Sequence, residues 1–366
     1  MKIGKSNKFS NTNNKLKPSN HDCIGIHITP QAIHAVLVSA RSVNQISLEK
    51  YAITPLPQNV ISNNGIEDHD QAVTYLQQTM RQLNSNCKNI TVSLPQNLAS
   101  IQVVQYNPAQ TELTLDEFVE FEVSQTADLE SSSYDYCYLS DTRQGKLQDI
   151  LLVSCKRDDV DARLDLFSAA NITPKQMDVD ILAALNAVNF WINQQQPVLA
   201  GQNLAIFQVG IHSTSALITQ NDRLLYKQEI NLGHEHLMQA IRRNYQLSEG
   251  DAWNMVYAAG KPADFATKVG AVFQDQLTQE IQRFLQFYYT TNSHDQSTDV
   301  QQILVSGYQN DAALAIAERI TQQVNIPTQQ ITPIAAAQAN KRLDNTQLLS
   351  DSSLLTEAFG LAVRGL

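Results

Sequence analysis

No stretch of this 366-residue chain is apolar for long enough to cross a bilayer. The most apolar helix candidate, Ile181 to Ile192, falls short of the roughly 20 residues a span requires and is interrupted by Asn186 and Asn189, so it reads as a core helix. No apolar run follows the N-terminal lysines, which excludes a secretory signal peptide. Four cysteines (Cys23, Cys87, Cys137, Cys155) are far apart and form no CxxC pair, a pattern of reduced, mostly buried thiols in a reducing compartment. Walker P-loop, Gly-x-Ser-x-Gly and HExxH strings are absent, so the catalytic classes those motifs mark have no support. Basic charge is also scarce: 26 Lys and Arg against 36 Asp and Glu leave a formal charge of −10, which repels phosphate backbones and argues against a nucleic-acid partner.

What remains is a globular composition, 43% hydrophobic and 17% charged, in a chain long enough for two cores. Gln and Asn are common but scattered through periodic segments, unlike a prion-like tract. One segment breaks the acidic balance. Lys2, Lys5, Lys8, Lys15 and Lys17 lie among Asn and Ser with no acid before His21, too polar to order itself. Residues 1–21 read as a flexible basic leader. It is either merely solvated or a weak tether to an anionic membrane face, worth about 1 kcal/mol per lysine near the surface.

From Cys23 the pattern gives three strands, Cys23–Ile28, Ile33–Val38 and Ile46–Ile53, broken by Thr29-Pro30-Gln31 and a polar Ser39–Gln45 link. A helix follows, with Asp68 as cap, Gln71 at the capping-box position and Ala72, Leu76, Met80 and Leu83 on one face; Ile90–Leu94 is a short buried strand. The order recurs: Leu204–Val209, Ser213–Thr219 and Arg223–Ile230 are strands and His236–Asn244 a helix. Two copies of strand, strand, strand, helix predict a duplicated two-lobed α/β fold. Each lobe carries an insertion. In the first, Thr114 to Glu117 opens a helix with Phe118, Phe121 and Val123 available for burial, followed by strands Tyr134–Leu139 and Ile150–Ser154; Asp158, Asp159 and Asp161 suit a helix start. In the second, Ser248–Ala259 and a longer helix with Val269, Val272, Phe273, Leu277, Ile281, Phe284 and Tyr288 on one face precede a Ser293–Thr298 loop. Strand Ile303–Val305 and helices Ala312–Val324 and Leu355–Arg364 finish the chain.

Several segments in register carry a resemblance. Lys50-Tyr51-Ala52-Ile53-Thr54-Pro55-Leu56-Pro57, Leu151-Leu152-Val153-Ser154-Cys155-Lys156-Arg157, Met177-Asp178-Val179-Asp180, Phe284-Leu285-Gln286-Phe287-Tyr288 and Ala358-Phe359-Gly360-Leu361-Ala362-Val363-Arg364 are similar to segments of the PilM family of type IV pilus assembly proteins. The resemblance runs from about Cys23 to Leu366. It implies an actin/Hsp70/FtsA-like fold with a first lobe at 22–200 (insertion about 96–156) and a second at 201–366 (insertion about 247–299). The last helix, about 355–365, would pack back toward the first lobe. It further implies ATP with Mg²⁺ between the lobes and a cytoplasmic place under the inner membrane. The implied partners are the PilN cytoplasmic tail, PilO and PilP indirectly, and the pilus motor ATPases, with a homo-oligomer as a further possibility. Membrane contact would be peripheral, through those partners or the basic leader.

The nucleotide positions depart from the family. The resemblance maps ATP contacts onto Thr29, Gly210, Ser213, Thr214, Gly233 and Gly307. In the first turn the family's aspartate is His27, its glycine Thr29, a serine Pro30 and its lysine His34. In the second turn the carboxylate is Gln208; His234 follows Gly233 in place of a second glycine, and Tyr308 follows Gly307 on the adenosine platform. A lysine of the second insertion is Val256. A neutral imidazole cannot replace a carboxylate beside Mg²⁺, and proline removes an N–H from a phosphate cradle. The expectation is therefore a lost or weak pocket, no catalytic residue and no metal site; the alternatives are a weakened ATP pocket and an active actin-like ATPase. His27, His34, His212, His234 and His236 are expected to be solvated or hydrogen-bonded cleft histidines in preference to a metal cluster. Asp178 and Asp180, two apart, would share a strand face. The first lobe's sheet and insertion, about Ile90–Ser154, would supply the groove for an extended partner peptide.

Overall fold

Strand pairing begins at His21. In the computed structural model the described residues are 21–42, 45–57, 59–62, 65–139, 147–220, 223–257, 261–291, 299–307 and 316–366. Leader lysines Lys2 to Lys17, the Ser293–Thr298 loop, Ala258 and Ala259, Tyr308 and the first residues of the Ala312–Val324 helix lie outside them.

Three antiparallel strands come first: β1 (His21–Ile28), β2 (Ala32–Ser42) and β3 (Gln45–Pro55), with His27 opposite His34. Cys23 through Ile28 are all buried, the mark of a strand covered on both faces. A ribbon of β4 (Ile61–Ser62) and β5 (Gly65–Ile66) leads to α1 (His69–Leu83). Asp68 caps α1 by accepting the Gln71 N–H at 3.0 Å; the Gln71 side chain donates to the same carboxylate at 2.7 Å instead of reaching the cap's backbone. β6 (Ile90–Leu94) follows.

The chain then leaves the main sheet for a small one. β7 (Ala99–Tyr106), β8 (Ser132–Tyr138) and β9 (Gln148–Lys156) form an antiparallel sheet ordered β7-β9-β8, and α2 (Leu115–Ser124) packs Val119 and Val123, one turn apart, on Leu152, leaving Phe121 exposed where burial is expected. The Thr114 capping box forms as the sequence predicts, Thr114 N–H donating to Glu117 at 2.8 Å. β7 has no counterpart in the sequence reading. α3 (Arg157–Ala169), β10 (Gln176–Val179) and α4 (Asp180–Gln195) return to the main sheet. Because β10 ends at Val179, Asp180 opens a helix, and Asp178 and Asp180 do not share a strand face as expected.

The second half repeats the course. β11 (Leu204–Val209), β12 (Thr214–Gln220) and β13 (Arg223–Ile230) are antiparallel. α5 (His234–Tyr245) starts two residues before the predicted helix, and α6 (Glu249–Tyr257) follows. α7 (Ala271–Thr291) buries Phe273, Leu277, Ile281, Phe284 and Tyr288, as its periodicity predicts, but Val272, expected on the same face, is 51% exposed because it lies about 100° around the helix from Phe273. Then come β14 (Gln302–Ser306), α8 (Ile316–Val324), β15 (Thr328–Gln330), β16 (Gln338–Ala339), α9 (Asn345–Asp351) and α10 (Thr356–Arg364).

The chain divides into two compact units: Met1–Val188 with Ala337–Leu343 and Glu357–Leu366, and Asn189–Ala336 with Asp344–Thr356. The first holds the sheet β10-β6-β1-β2-β3-β16, the second β13-β12-β11-β14-β15. Each places its third, second, first, fourth and fifth strands side by side, the fourth and fifth parallel to the first. Each has its own apolar core, around Ile24, Leu76, Val92 and Phe167 in one and Phe207, Leu237, Leu277 and Val305 in the other. Among the described residues no helix is long and apolar enough to cross a membrane.

Candidate functional site

In the first unit the turn between β1 and β2 is closed from within. Thr29 N–H donates to Ala32 O at 3.0 Å, the Thr29 hydroxyl donates to the same oxygen at 3.0 Å, and Ala32 N–H donates to Thr29 Oγ1 at 3.1 Å. Pro30 has no N–H to offer. Beneath the turn, His27 and His34 stack with ring centroids 5.9 Å apart, and His27 Nδ1 lies 3.1 Å from Ser93 Oγ. Both rings are buried. Loss of hydration pushes His27 down to about 3, assisted by His34 and Arg163, and His34 down to about 4. They are neutral imidazoles at physiological pH; of the two expectations, solvated or hydrogen-bonded, His27 meets the second at Ser93 and neither ring is solvated.

Two carboxylates of this unit lie where β10 gives way to α4. Asp178 pairs with Arg364 at 3.4 Å, yet its desolvation outweighs the guanidinium and raises its pKa. Asp180 accepts the N–H of Gln96 at 3.0 Å and of Ile181 at 2.6 Å. Burial first, and Glu357 second, push it up to about 7 against the pull of those N–H groups and Arg163.

In the second unit the β11–β12 turn and the start of α5 engage one another. Gly210 N–H donates to Ser213 O at 2.9 Å; Gly210 O accepts His234 N–H at 3.0 Å and Ile211 O accepts Glu235 N–H at 2.8 Å. Gly233 N–H donates to His236 Nδ1 at 3.2 Å, and His212 Nδ1 meets Glu235 Oε2 at 2.7 Å. A helix N-terminus usually offers its first N–H groups to an anion or to water; here hairpin carbonyls take them. The hydroxyls are engaged too: Ser213 donates to Glu229 at 2.5 Å and buried Thr214 to Leu232 O at 2.6 Å. Gln208 accepts from Ser306 at the far side of the hairpin. Gly307, with φ +77°, sits so close to β11 that a Cβ would lie 2.2 Å from Val209 O. His234 is buried and pushed down to about 4 by desolvation and Lys261. Val256 belongs to the core.

Of the positions singled out in the sequence, Gly210, Ser213, Thr214, Gly233 and His234 are brought together at one hairpin, with Gln208 and Gly307 behind it, while His27, Thr29 and Pro30 belong to the first unit's turn. The sequence did not reveal the His212–Glu235 pair or the role of Gly25, where a Cβ would lie 2.0 Å from Ala358 O of α10. No group of three potential metal ligands occurs among the described residues.

A family model described as "Type IV pilus assembly protein PilM" matches residues 25–366. The chain is similar over 94% of its length to 98% of a chain in a solved "PilM-PilN type IV pilus biogenesis complex", at 18% identity and a TM-score of 0.75. It is also similar over 96% of its length to 91% of the ethanolamine utilization protein EutJ from Carboxydothermus hydrogenoformans, at 11% identity and a TM-score of 0.55. At such identities these likenesses bear on the fold, which is actin-like.

Proposed function

This chain belongs to the PilM family of type IV pilus assembly proteins, and on that premise we propose that it is a cytoplasmic scaffold that holds the N-terminal tail of PilN and has lost tight magnesium-nucleotide binding. The partner is inferred from the similar chain solved in a PilM-PilN complex. Connections through PilN to PilO and PilP, and to the motor ATPases, belong to the same proposal, as does a place at the inner face of the inner membrane.

The observation that carries the loss of nucleotide is the state of the two turns. A phosphate cradle needs free N–H groups, and Mg²⁺ needs oxygen ligands of negative charge nearby. In the first turn Thr29 and Ala32 donate inward and Pro30 cannot donate; in the second, Gly210, His234 and Glu235 donate to the protein's own carbonyls. Where carboxylates would balance the metal, a buried neutral His27 and an amide, Gln208, stand instead. The residues present do not fit the group, and no hydrolytic step is assigned to them.

Calorimetry of a synthetic PilN tail peptide against the purified chain tests both halves. The peptide binds equally with and without Mg-ATP if the proposal is right. Strict dependence on Mg-ATP, or submicromolar binding of Mg-ATP alone, would overturn the loss of nucleotide; absence of peptide binding under both conditions would overturn the scaffold.

A further inference from the structure

The two units treat the same sheet edge differently. In the first, the outer edge of the third strand is covered: β16 pairs with β3, Gln338 beside Ser47 and Ala339 beside Leu48. Asn340 N–H donates to Leu48 O at 2.9 Å, and its side chain donates to Glu49 at 2.6 Å. In the second, β13 is the outermost strand, and no described strand pairs with its outer edge. An unpaired edge is a template for another strand unless the sequence blocks it.

Near its start β13 is blocked, because a bulge at Leu225 breaks the register between Leu224 and Tyr226. From Tyr226 to Ile230 the strand is regular: Tyr226, Lys227, Gln228, Glu229, Ile230. Lysine and glutamate on an edge normally discourage pairing. Their order here does the reverse for one partner, a second copy of the same strand.

Antiparallel pairing places residues of like parity opposite each other, so a two-fold axis must pass through a residue of the run. Centred on Lys227 it would face lysine with lysine, and centred on Glu229 glutamate with glutamate. Centred on Tyr226 it runs into the bulge. Centred on Gln228 it faces Lys227 with Glu229 twice and Tyr226 with Ile230 twice. Opposite charges and aromatic–β-branched pairs are favourable cross-strand neighbours. Gln228 and Glu229 are exposed. Beside them Phe287 of α7 is 58% exposed, its ring 6.2 Å from that of Tyr226, an apolar surface that such pairing would help cover. Glu229 already accepts from Ser213 and Lys227 is also engaged within its own chain, but a carboxylate has lone pairs left and an ammonium has three N–H groups to share.

We propose that two copies of this chain associate through the outer edges of β13, antiparallel about Gln228, with reciprocal Lys227–Glu229 pairs. The contact is isologous and closes at two copies. Five residues a side make a small interface, so the dissociation constant falls between about 1 µM and 1 mM. A charge of −10 on each copy opposes approach and is screened at physiological salt. The inference stands apart from the pilus assignment.

The test is sedimentation equilibrium of the full chain at physiological salt, with folding checked by circular dichroism. Lys227→Glu alone faces acids with acids, and Glu229→Lys alone faces lysines with lysines; each should weaken self-association at least about tenfold. An equal mixture of the two variants restores opposite charges at both positions and should recover it, as should the double variant Lys227→Glu/Glu229→Lys. A parent chain monomeric at about 1 mM overturns the proposal. So do single variants that associate like the parent, or a folded mixture and a folded double variant that fail to recover.

Discussion

Replacing Gly360 by alanine should loosen the C-terminal helix by an amount that its packing sets. A Cβ at Gly360 would lie 1.8 Å from Ala183 O and 2.5 Å from Ala183 C, both backbone atoms of α4. Restoring ordinary contact needs a shift of about 1.5 Å. At about 100° per residue, Ala358 and Ala362 lie nearly opposite Gly360 around α10, and there the helix backbone is pressed on Gly25. Movement away from α4 therefore drives the helix into β1. Ala358, Phe359, Leu361 and Ala362 are fully buried, so no surface side chain yields instead. Overpacking of this kind costs about 3 kcal/mol, and the better helix propensity of alanine offsets about 1 kcal/mol. The expected net loss is about 2 kcal/mol, seen as a fall of about 4–8 °C in the melting of the first unit by circular dichroism. Gly250→Ala is the control: a Cβ there meets nothing within 4 Å, so the same substitution should stabilise α6 by about 0.5 kcal/mol. An unmoved melt for Gly360→Ala, or equal losses for both variants, would refute the wedge.

Buried His27, His34 and His234 have folded pKa values below the ordinary histidine range, so the unfolded chain binds more protons below about 6.5. Stability should fall as pH drops from about 6.5 toward 4, on the order of 2 kcal/mol per histidine by pH 4.5, and His34→Gln should flatten the urea-midpoint profile. Asp180 has the opposite sign: its pKa is raised, so the folded chain keeps a proton that the unfolded chain releases, and its contribution declines as pH rises from about 4 to about 7. Asp180→Asn retains an acceptor for the Gln96 N–H and should remove that decline, which a midpoint series from pH 4 to pH 8 reads directly. Thr114→Ala removes the α2 cap and should cost about 1 kcal/mol, read as faster amide exchange through α2.

Much of this fold was legible because its signals are local. Alternating and continuous apolar runs gave β1, β2, β3 and β6 of one sheet and β11, β12, β13 and β14 of the other, and Asp68 and Thr114 marked the starts of α1 and α2. Local chemistry failed where the determining contact is remote or brief. β16 is two residues long and exists because β3 offers an edge. Asp180 sat in a string that continued β10, and the remote Gln96 N–H that its carboxylate accepts could not be read from that string. The candidate site divided in the same way. Residue identity singled out Gly210, Gly233 and His234, but not that the His234 and Glu235 N–H groups lie on the Gly210 and Ile211 carbonyls. That depends on where α5 docks.

Gly210, Gly233 and Gly307 are the features that speak most for a nucleotide pocket, and Gly25 lies in the strand before the first turn. Each has a backbone neighbour that excludes a side chain whether or not a ligand ever binds. Gly25 lies against Ala358 O of α10, Gly210 against Ser213 O across its own hairpin, and Gly233 against the carbonyls of Gly210 and Ile211. Gly307 combines a left-handed φ with a Cβ position 2.2 Å from Val209 O. Selection for the fold alone would keep all four. On the proposed loss of nucleotide binding, the residues that bear on phosphate and metal are instead His27, Pro30 and Gln208. Glycine survival in such a turn therefore measures how closely two backbones pass, while the identity of the neighbouring acid or amide measures what the turn can hold.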